Sequence, residues 1–403
     1  MRISTHSNIY YLYLIKLSKW FMVIMPVVAL FYAENGLDEF DIYLLQAIYS
    51  LGVAVMEIPS GYMADVIGRK TSLVLGSILG TLGFVIYTVS TDFGHFLSAE
   101  IVLGLGASFI SGSDSALLYD SLAEAENQQL YLRYEGRITA LGNLAETTAA
   151  ICGGVIAALI GYRAVYLCQA IIAAVAIPAS LLLVEPRQET ARRNPSFTEV
   201  IAICRHALIE NLRLSSAILL SAVTGTATLC MAWTCQVYFI ANGLDEATIT
   251  PLWVILNLTV AIASAASQRI VSFLGMRQAI GLIILFVPAS YLLLGLTPLI
   301  SGLITLCLFY MIRGYATPLL KDLTNHYCSS ANRATVLSIR SLIIRLGFAI
   351  LGPFIGLISR HFNLAIALVL AGTILLGLAI GAGLFCRRTA PDIFSQHTRQ
   401  KEG

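Results

Sequence analysis

The sequence has 403 residues, of which 57% are hydrophobic and only 12% are charged, about half the charged share of a globular domain. This composition excludes a water-soluble protein, and a net charge of +2 gives no indication of a nucleic-acid partner. The eight cysteines are scattered without a CxxC pair, so we predict free thiols, no metal site and no cofactor.

Apolar runs of about 20 residues, the length that crosses a bilayer, recur along the whole chain. Backbone groups in hydrocarbon must be hydrogen-bonded internally, so we predict that each run is a helix. The first six predicted spans are 10–33, 41–63, 71–90, 95–121, 137–160 and 163–184. The second six are 214–240, 248–270, 278–297, 300–322, 335–359 and 363–386.

A short internal repeat indicates that the two sets of spans are related. The pentapeptide NGLDE at Asn35–Glu39, after the first span, returns at Asn242–Glu246, after the seventh. At the same spacing Gly68 falls on Gly275, and repetition at a fixed half-chain offset indicates a duplicated unit. A weaker repeat, at a slightly different spacing, places Asp120 on Asp322. The NGLDE repeat therefore predicts the same turn in two homologous halves.

The predicted fold class is an all-α membrane protein, with twelve transmembrane helices in two six-helix halves related by pseudo-twofold symmetry. Residues 1–184 form the first half, and residues 214–403 form the second half with a short cytoplasmic tail. The polar stretch 185–213 is the predicted cytoplasmic linker. Two parallel repeats joined in this way are a known transporter architecture.

Basic residues concentrate on one predicted side of the membrane. By the positive-inside rule this places both termini and the linker in the cytoplasm and the NGLDE turns outside. The first span, with Lys16 and Lys19 in its early turns, resembles a signal anchor that is retained. We therefore predict a multi-pass protein of the bacterial cytoplasmic (inner) membrane.

One loop carries a specific motif. Between the second and third spans the chain reads EIPSGYMADVIGRKTSL, with Gly61, Asp65, Gly68, Arg69 and Lys70 in the pattern G-x-x-x-D-x-x-G-R-K. This loop resembles the signature loop of the major facilitator superfamily, and the twelve spans and the six-plus-six division also match that family. The resemblance implies a secondary transporter that works by alternating access, with proton coupling as the default.

The motif also predicts a gate. Glycines allow two helices to approach closely, and a carboxylate near helix ends can bind arginines in one state and release them in another. We expect Arg69 to contact Asp120 while Asp65 helps to tie the halves together. In the alternative interpretation, Arg69 and Lys70 only anchor the topology.

Two stretches depart from patterns that are frequent in the superfamily. Its proton-coupled members often carry an arginine four residues before a glycine in span four, where this chain has Glu100 before Gly104. Efflux members often carry a Gly-Pro-x-x-Gly-Gly bend in span five, where only the final glycine pair of Ala149–Gly154 is kept. Both departures argue against a drug/proton antiporter.

Charged side chains at membrane depth are costly and are functional candidates by default. Glu100, Gly104, Ser111 and Asp114 share one face of the predicted span four, which we expect to line a water-filled cavity. Arg313 is the predicted counter-charge of the carboxylates. The candidates for substrate binding or proton coupling are Asp114, Glu146, Arg313, Glu100, Asn143, Arg340 and Arg345. Ion pairing that only locks the fold is the alternative interpretation.

The sequence bears on three functional classes: an enzyme, a coupled transporter, and a uniporter or sensor. An intramembrane enzyme is not expected, because the six histidines lie at span ends or in loops, where none could activate a buried serine. A uniporter or a transport-dead sensor of the same fold remains the alternative to a coupled transporter. The expected partners are a small-molecule solute, protons and the lipid bilayer, with no nucleic acid and a monomeric state. Cationic and anionic solutes, and import and export, stay open.

Overall fold

The structure is a computed structural model that describes residues 5–111, 113–127, 130–186, 197–328 and 333–395. Every regular element in these ranges is helical. The α-helices of the described chain are α1 (Thr5–Trp20), α2 (Val28–Glu34), α3 (Glu39–Ile67), α4 (Arg69–Val89), α5 (Phe93–Ile110), α6 (Ser113–Glu124), α7 (Tyr131–Leu159), α8 (Tyr162–Ala174), α9 (Ala176–Leu181), α10 (Phe197–Arg205), α11 (Leu212–Ala241), α12 (Glu246–Ala265), α13 (Ser267–Leu274), α14 (Met276–Leu296), α15 (Leu299–His326), α16 (Arg333–His361), α17 (Leu364–Thr389) and α18 (Asp392–Ser395).

Ten helical stretches of the described chain are long and apolar enough to cross a membrane. They match the predicted spans two to four and six to twelve. The first predicted span is divided between α1 and α2. The fifth lies on α7, whose apolar stretch in the described residues is the shorter Leu144–Leu159.

The interruption of the first span contradicts the prediction of one continuous helix. Residues 21–27 form turns between α1 and α2. Pro26 lies in this segment and has no N–H with which to continue a helix. The freed N–H of Val23 donates to Oε1 of Gln169 over 2.9 Å. A break inside a span is tolerated because a neighbouring helix satisfies the backbone in this way.

The fourth span is also divided. α5 ends at Ile110 and α6 begins at Ser113, so the end of α5 leaves carbonyl groups without a helical partner. Ser60 Oγ donates to the carbonyl of Ser108 over 2.9 Å, and Ser72 Oγ donates to that of Phe109 over 2.8 Å. Serine hydroxyls of α3 and α4 therefore stabilise the break.

The two NGLDE segments form the same helix ending. The side-chain amides of Asn35 and Asn242 each donate to the carbonyl four residues earlier, over 2.8 Å in both cases. Gly36 and Gly243 follow with φ of 80° and 73°, a region that favours glycine. The repeated asparagine and glycine thus terminate the helix that precedes each turn.

The aspartate of each repeat begins the next helix. Asp38 Oδ1 accepts the N–H of Asp41, and Asp245 Oδ1 accepts that of Thr248, each over 3.0 Å. Such caps satisfy N–H groups that a helix leaves unpaired at its start. Hydrogen bonds from the Thr248 side chain and backbone also hold the pKa of Asp245 below its usual value. The repeated pentapeptide is therefore a structural turn in both copies.

The chain separates into two compact units. The first comprises Met1–Arg192 with Leu244–Val254, and the second comprises Arg193–Gly243 with Ile255–Gly403. The first turns of α12 therefore belong to the first unit, although the sequence assigns all of that span to the second half.

In the first unit α1 packs against α6 and α9. Leu12 of α1, Leu117 and Leu118 of α6, and Leu183 after α9 are all almost fully buried in this contact. Lipid tails are as apolar as leucine, so such contacts stabilise the unit mainly through close packing.

In the second unit α11 packs against α15, α16 and α17. Tyr291 of α14 donates its hydroxyl to the carbonyl of Ala227 over 2.6 Å, which satisfies a buried polar group. Gly225 leaves no room for a side chain, because Ile344 of α16 occupies the adjacent space.

Candidate functional site

A buried ion pair lies beside the break in the fourth span. Lys16 Nζ of α1 is 3.5 Å from Asp114 Oδ2, and the two side chains are 9% and 12% exposed. Lys16 also donates to Ser115 Oγ over 3.3 Å. Asp114 lies in the first turn of α6, where the partial positive charge of the helix also stabilises a carboxylate. Two opposite charges are thus held together inside the first unit.

The structure adds to one prediction and corrects another. Within the first unit Asp114 contacts Lys16, which the sequence suggested only as part of a signal anchor, and the pairing of Asp114 with Arg313 of the second unit stays a prediction. The predicted face from Glu100 to Asp114 is not continuous, because α5 ends at Ile110. Of that face Ser111 is exposed, whereas Glu100 and Asp114 are buried within the unit.

Glu100 lies in a hydrogen-bonded cluster, which we call the Glu100 cluster and define as Glu100, Tyr32, Gln46 and Tyr87. Glu100 is 4% exposed, and its Oε1 accepts from Tyr87 Oη and Gln46 Nε2 over 2.5 Å each and from Tyr32 Oη over 2.9 Å. The two tyrosine hydroxyls also contact each other. The prediction that Glu100 lines a water-filled cavity is therefore wrong.

The motif-bearing loop between α3 and α4 makes the contact that the motif predicts. The Arg69 guanidinium pairs with the Asp120 carboxylate and donates to the carbonyl of Ala116 over 2.8 Å. Glu185, after α9, accepts the backbone N–H groups of Arg69 and Lys70 over 2.8 and 2.7 Å. The loop is therefore fixed to α6 and to the end of α9 within the first unit.

The glycines of the motif differ in their surroundings. Gly68 has φ of 94°, and a Cβ there would lie 3.2 Å from the Glu185 carboxylate. A Cβ at Gly61 would meet open space, so the close helix approach predicted there is absent from this structure. The side chain of Asp65 lies outside the described residues, and its gating role stays a prediction.

The second copy of the loop lacks the arginine. Met276, at the start of α14, takes the place of Arg69 and lines a cavity of about 60 Å³ together with Asp322, His326 and Asp392. Asp392 accepts the hydroxyl of Tyr327 over 2.7 Å, and this hydrogen bond holds the pKa of Asp392 below its usual value.

The remaining candidates are distributed over both units. Glu146 is half-buried on α7 of the first unit, and the side chain of Asn143 lies outside the described residues. In the second unit Arg313 lies 5.3 Å from the ring centre of Tyr310, a cation–π distance, and Arg340 donates to Ser221 Oγ. Arg345 is half-buried on α16.

Sequence reasoning missed four contributors to these sites. Lys16 lies with Lys19 inside the first apolar run, and a charge within a predicted span was the usable signal. Glu185 directly follows the sixth span, but nothing in the sequence relates it to the loop more than 100 residues earlier. Tyr32 and Tyr87 lie among many other aromatic residues of the spans, so nothing in the sequence marks them as partners of Glu100.

Comparison with known proteins decides the family. A model of the Major Facilitator Superfamily matches residues 17–343, well over half of the chain. The chain belongs to this superfamily. It is therefore a member of a transporter superfamily and a multi-pass membrane protein.

Two drug-resistance proteins match the chain over part of its length. The Multidrug resistance protein Stp of Mycobacterium tuberculosis (strain CDC 1551 / Oshkosh) is 27% identical over 197 residues, 47% of this chain and 35% of Stp. The Drug efflux pump JefA of the same strain is 28% identical over 141 residues, 35% of this chain and 27% of JefA. The matched parts thus span about a third of the length of these relatives.

The fold is that of a solved transporter over almost its whole length. The crystal structure of nucleoside transporter NupG superposes with a TM-score of 0.75, covering 96% of this chain and 99% of that one. At 13% identity the likeness concerns the fold alone.

Proposed function

We propose that this superfamily member is a secondary transporter that moves an amphipathic organic solute by alternating access and couples the movement to protons. One observation carries the proposal: in the first unit spans one and four are interrupted, and the buried Lys16–Asp114 ion pair lies beside the break in span four. Interrupted helices with buried charge are typical of solute sites in transporters. The similarity to the multidrug resistance protein Stp and the drug efflux pump JefA supports this class of solute.

The finer architecture belongs to the same proposal. We infer twelve spans, counting α1 with α2 as the first and α7 as the fifth, in two six-span halves with pseudo-twofold symmetry. Both termini and the linker 185–213 face the cytoplasm of a bacterial cell, with the protein in its inner membrane as a monomer.

The proposal divides the candidate residues into those that bind solute or protons and those that form the gate. Asp114 with Lys16 and the half-buried Glu146 bind solute or protons in the first half, and Arg313, Arg340 and Arg345 supply positive charge in the second. Asn143 is retained as a lining candidate. Gly61, Asp65, Gly68, Arg69, Lys70 and Asp120 form the gate.

The gate proposal has its own test. Asp65→Asn removes a charge that ties the halves together when the outside is open, so transport should slow with little loss of thermal stability. Transport by this variant at the native rate would contradict the gate.

The transport proposal is tested with purified protein in liposomes, using ethidium, an amphipathic cation, as the probe. Native protein should give saturable ethidium counterflow above protein-free vesicles, and a proton gradient imposed at clamped membrane potential should accelerate net flux. The variant Asp114→Asn should lose net accumulation and keep exchange at equal pH.

Other outcomes decide between the alternatives. Counterflow that ignores the proton gradient would indicate a uniporter. Saturable ethidium binding without flux above protein-free vesicles would indicate a sensor and would contradict transport.

A further inference from the structure

The Glu100 cluster differs from the other buried charges in the chemistry of its contacts. Tyr32 comes from α2, Gln46 from α3 and Tyr87 from α4, and all three donate to the same oxygen, Glu100 Oε1. Tyr166 of α8 stacks on Tyr87 with ring centres 4.8 Å apart and closes the cluster on that side. Four elements thus surround one carboxyl group of α5.

No cation is among the contacts of Glu100 in the described chain. The titratable groups that face it are Tyr32, Tyr87 and Tyr166, Gln46 is uncharged, and the carboxylates of α6 lie more than three helical turns further along the span. An ionised carboxylate inside a protein normally needs a paired cation or a metal. Asp114, by contrast, has Lys16 at 3.5 Å.

The hydrogen-bond pattern leaves room for a proton. All three hydrogen bonds to the Glu100 carboxyl group end on Oε1, and no donor of the described chain bonds to Oε2. A neutral acid accepts at its carbonyl oxygen and carries its proton on the other oxygen, so the pattern suits the protonated form. The ionised form would accept the same three donors more strongly.

We propose that Glu100 is the site that binds and releases the coupling proton, and that its protonation state is transmitted through Tyr32 to the short helix α2. The inference rests on the proposed proton-coupled transport and assigns the proton to one residue. Protons are therefore the ligand of the Glu100 cluster, and Asp114 with Lys16 keeps the solute-coupling role proposed above.

The break in span one gives the proton a mechanical consequence. α2 has seven residues and is separated from α1 by the turns of residues 21–27. Tyr32 is fully buried and connects α2 to Glu100. Because a charged acceptor strengthens a hydrogen bond, loss of the proton holds α2 against α5, and proton binding loosens it.

Infrared spectroscopy of purified protein tests the proton site without any solute. The C=O stretching band of a buried neutral carboxylic acid should be present in native protein, should disappear reversibly as the pH rises, and should be lost in Glu100→Gln. Glu210→Gln, the same substitution at an exposed glutamate, is the matched control and should retain the band.

Two results would overturn the assignment. One is a carboxylic-acid band that is unchanged in Glu100→Gln. The other is a band that Glu100→Gln removes but that persists at every pH at which the native protein stays folded, because Glu100 is then permanently neutral and structural.

Milder variants cover the case in which Glu100→Gln fails to fold. Tyr32→Phe and Tyr87→Phe each remove one donor to Oε1, so each should shift the band to higher frequency. Tyr32→Phe should also increase hydrogen exchange in Val28–Glu34, measured by mass spectrometry. An unshifted band in both variants would contradict the cluster as the proton site.

Ethidium flux separates this inference from the proposed function. If the native protein responds to the proton gradient and Glu100→Gln loses that response while it keeps exchange at equal pH, proton-coupled transport and the assignment of Glu100 are both supported. If Glu100→Gln responds as the native protein does, the assignment of Glu100 fails and coupled transport stands. If the native protein ignores the gradient, proton coupling itself fails, and with it the coupling role of Glu100.

Discussion

In the interior of the first unit, stability depends on whether each buried charge has a partner of opposite charge. A lysine and an aspartate that are both about nine-tenths buried, as Lys16 and Asp114 are, each rely on the other for compensation. The contribution of such a pair to net stability is small, since desolvation offsets the attraction between the charges. Removal of one partner is costly, because the other charge is left buried.

The first prediction concerns this pair. Lys16→Met or Asp114→Asn alone should lower the free energy of unfolding by about 3–5 kcal/mol, because each leaves an uncompensated group. The double variant Lys16→Met/Asp114→Asn should recover much of that loss. Thermal unfolding in detergent micelles measures all three variants.

An exposed pair provides the control. Arg205 and Glu210 are 3.0 Å apart, but their side chains are 71% and 49% exposed. Glu210→Gln should change stability by no more than about 0.5 kcal/mol, as for other surface pairs. If the loss of stability in Lys16→Met/Asp114→Asn equals the sum of the two single losses, the two charges do not interact and the prediction is wrong.

At this scale the sequence predicts a pair where a motif names one partner, and it does not predict a pair that involves no motif. The contact between Arg69 and Asp120 followed from the loop motif together with the inner end of span four, and it is present. The counter-charge of Asp114 was assigned to Arg313 because α1 reads as an apolar anchor, which hides Lys16. Contact between sequence-distant helices depends on tertiary packing that no single-span pattern encodes.

At the scale of the helix, the apolar pattern predicts where spans lie and does not predict where they break. Spans four and one are interrupted inside continuous apolar runs. What permits each break is a hydrogen-bond partner from another helix: the donors Ser60 and Ser72 at span four, and at span one Gln169 Oε1, which accepts the N–H of Val23. Those partners are separated from the breaks by tens to more than 100 residues, so local periodicity carries no sign of them.

The second prediction tests the packing at the break in span one. A Cβ at Gly153 of α7 would collide with the carbonyl of Val23, whereas a Cβ at Gly80 of α4 would meet no described atom. Gly153→Ala should therefore destabilise by about 1–3 kcal/mol, the usual cost of overpacking. Gly80→Ala should be neutral or stabilise by up to about 1 kcal/mol, as in other helix interiors.

Thermal unfolding of the two alanine variants under identical conditions measures this difference. Equal melting temperatures for Gly153→Ala and Gly80→Ala would contradict the close contact between α7 and the turns of residues 21–27.

The third prediction uses the difference between the two loop copies. Met276 begins α14 as Arg69 begins α4, and it lies at the same small cavity as Asp322. Met276→Arg should pair with Asp322 as Arg69 pairs with Asp120. Because Asp322 is exposed, the gain should be at most about 1 kcal/mol.

The same substitution in an Asp322→Asn background controls for effects unrelated to the pair. The gain in melting temperature from Met276→Arg should vanish there. A gain of equal size in both backgrounds would argue that Asp322 takes no part.

At the scale of the whole molecule, the arrangement across the membrane follows from counting crossings. Between Asp38 and Asp245 the described chain contains α3, α4, the divided span α5–α6, α7, the divided span α8–α9, and α11. With α7 counted as a crossing, as proposed above, there are six, and six crossings return the chain to the side on which it started. The two NGLDE turns should therefore lie on one face, and the linker, which follows the fifth of these crossings, should lie on the other.

The last prediction tests this arrangement in intact cells. The eight native thiols, all unpaired, are first replaced by serine or alanine. Single cysteines are then placed at Asp38, Asp245 and Glu189, and a membrane-impermeant maleimide is added from outside. Asp38→Cys and Asp245→Cys should be labelled, because both sit in exposed or half-exposed polar turns. Glu189→Cys should be labelled only after permeabilisation, and its labelling in intact cells together with Asp38→Cys would contradict the six-plus-six division.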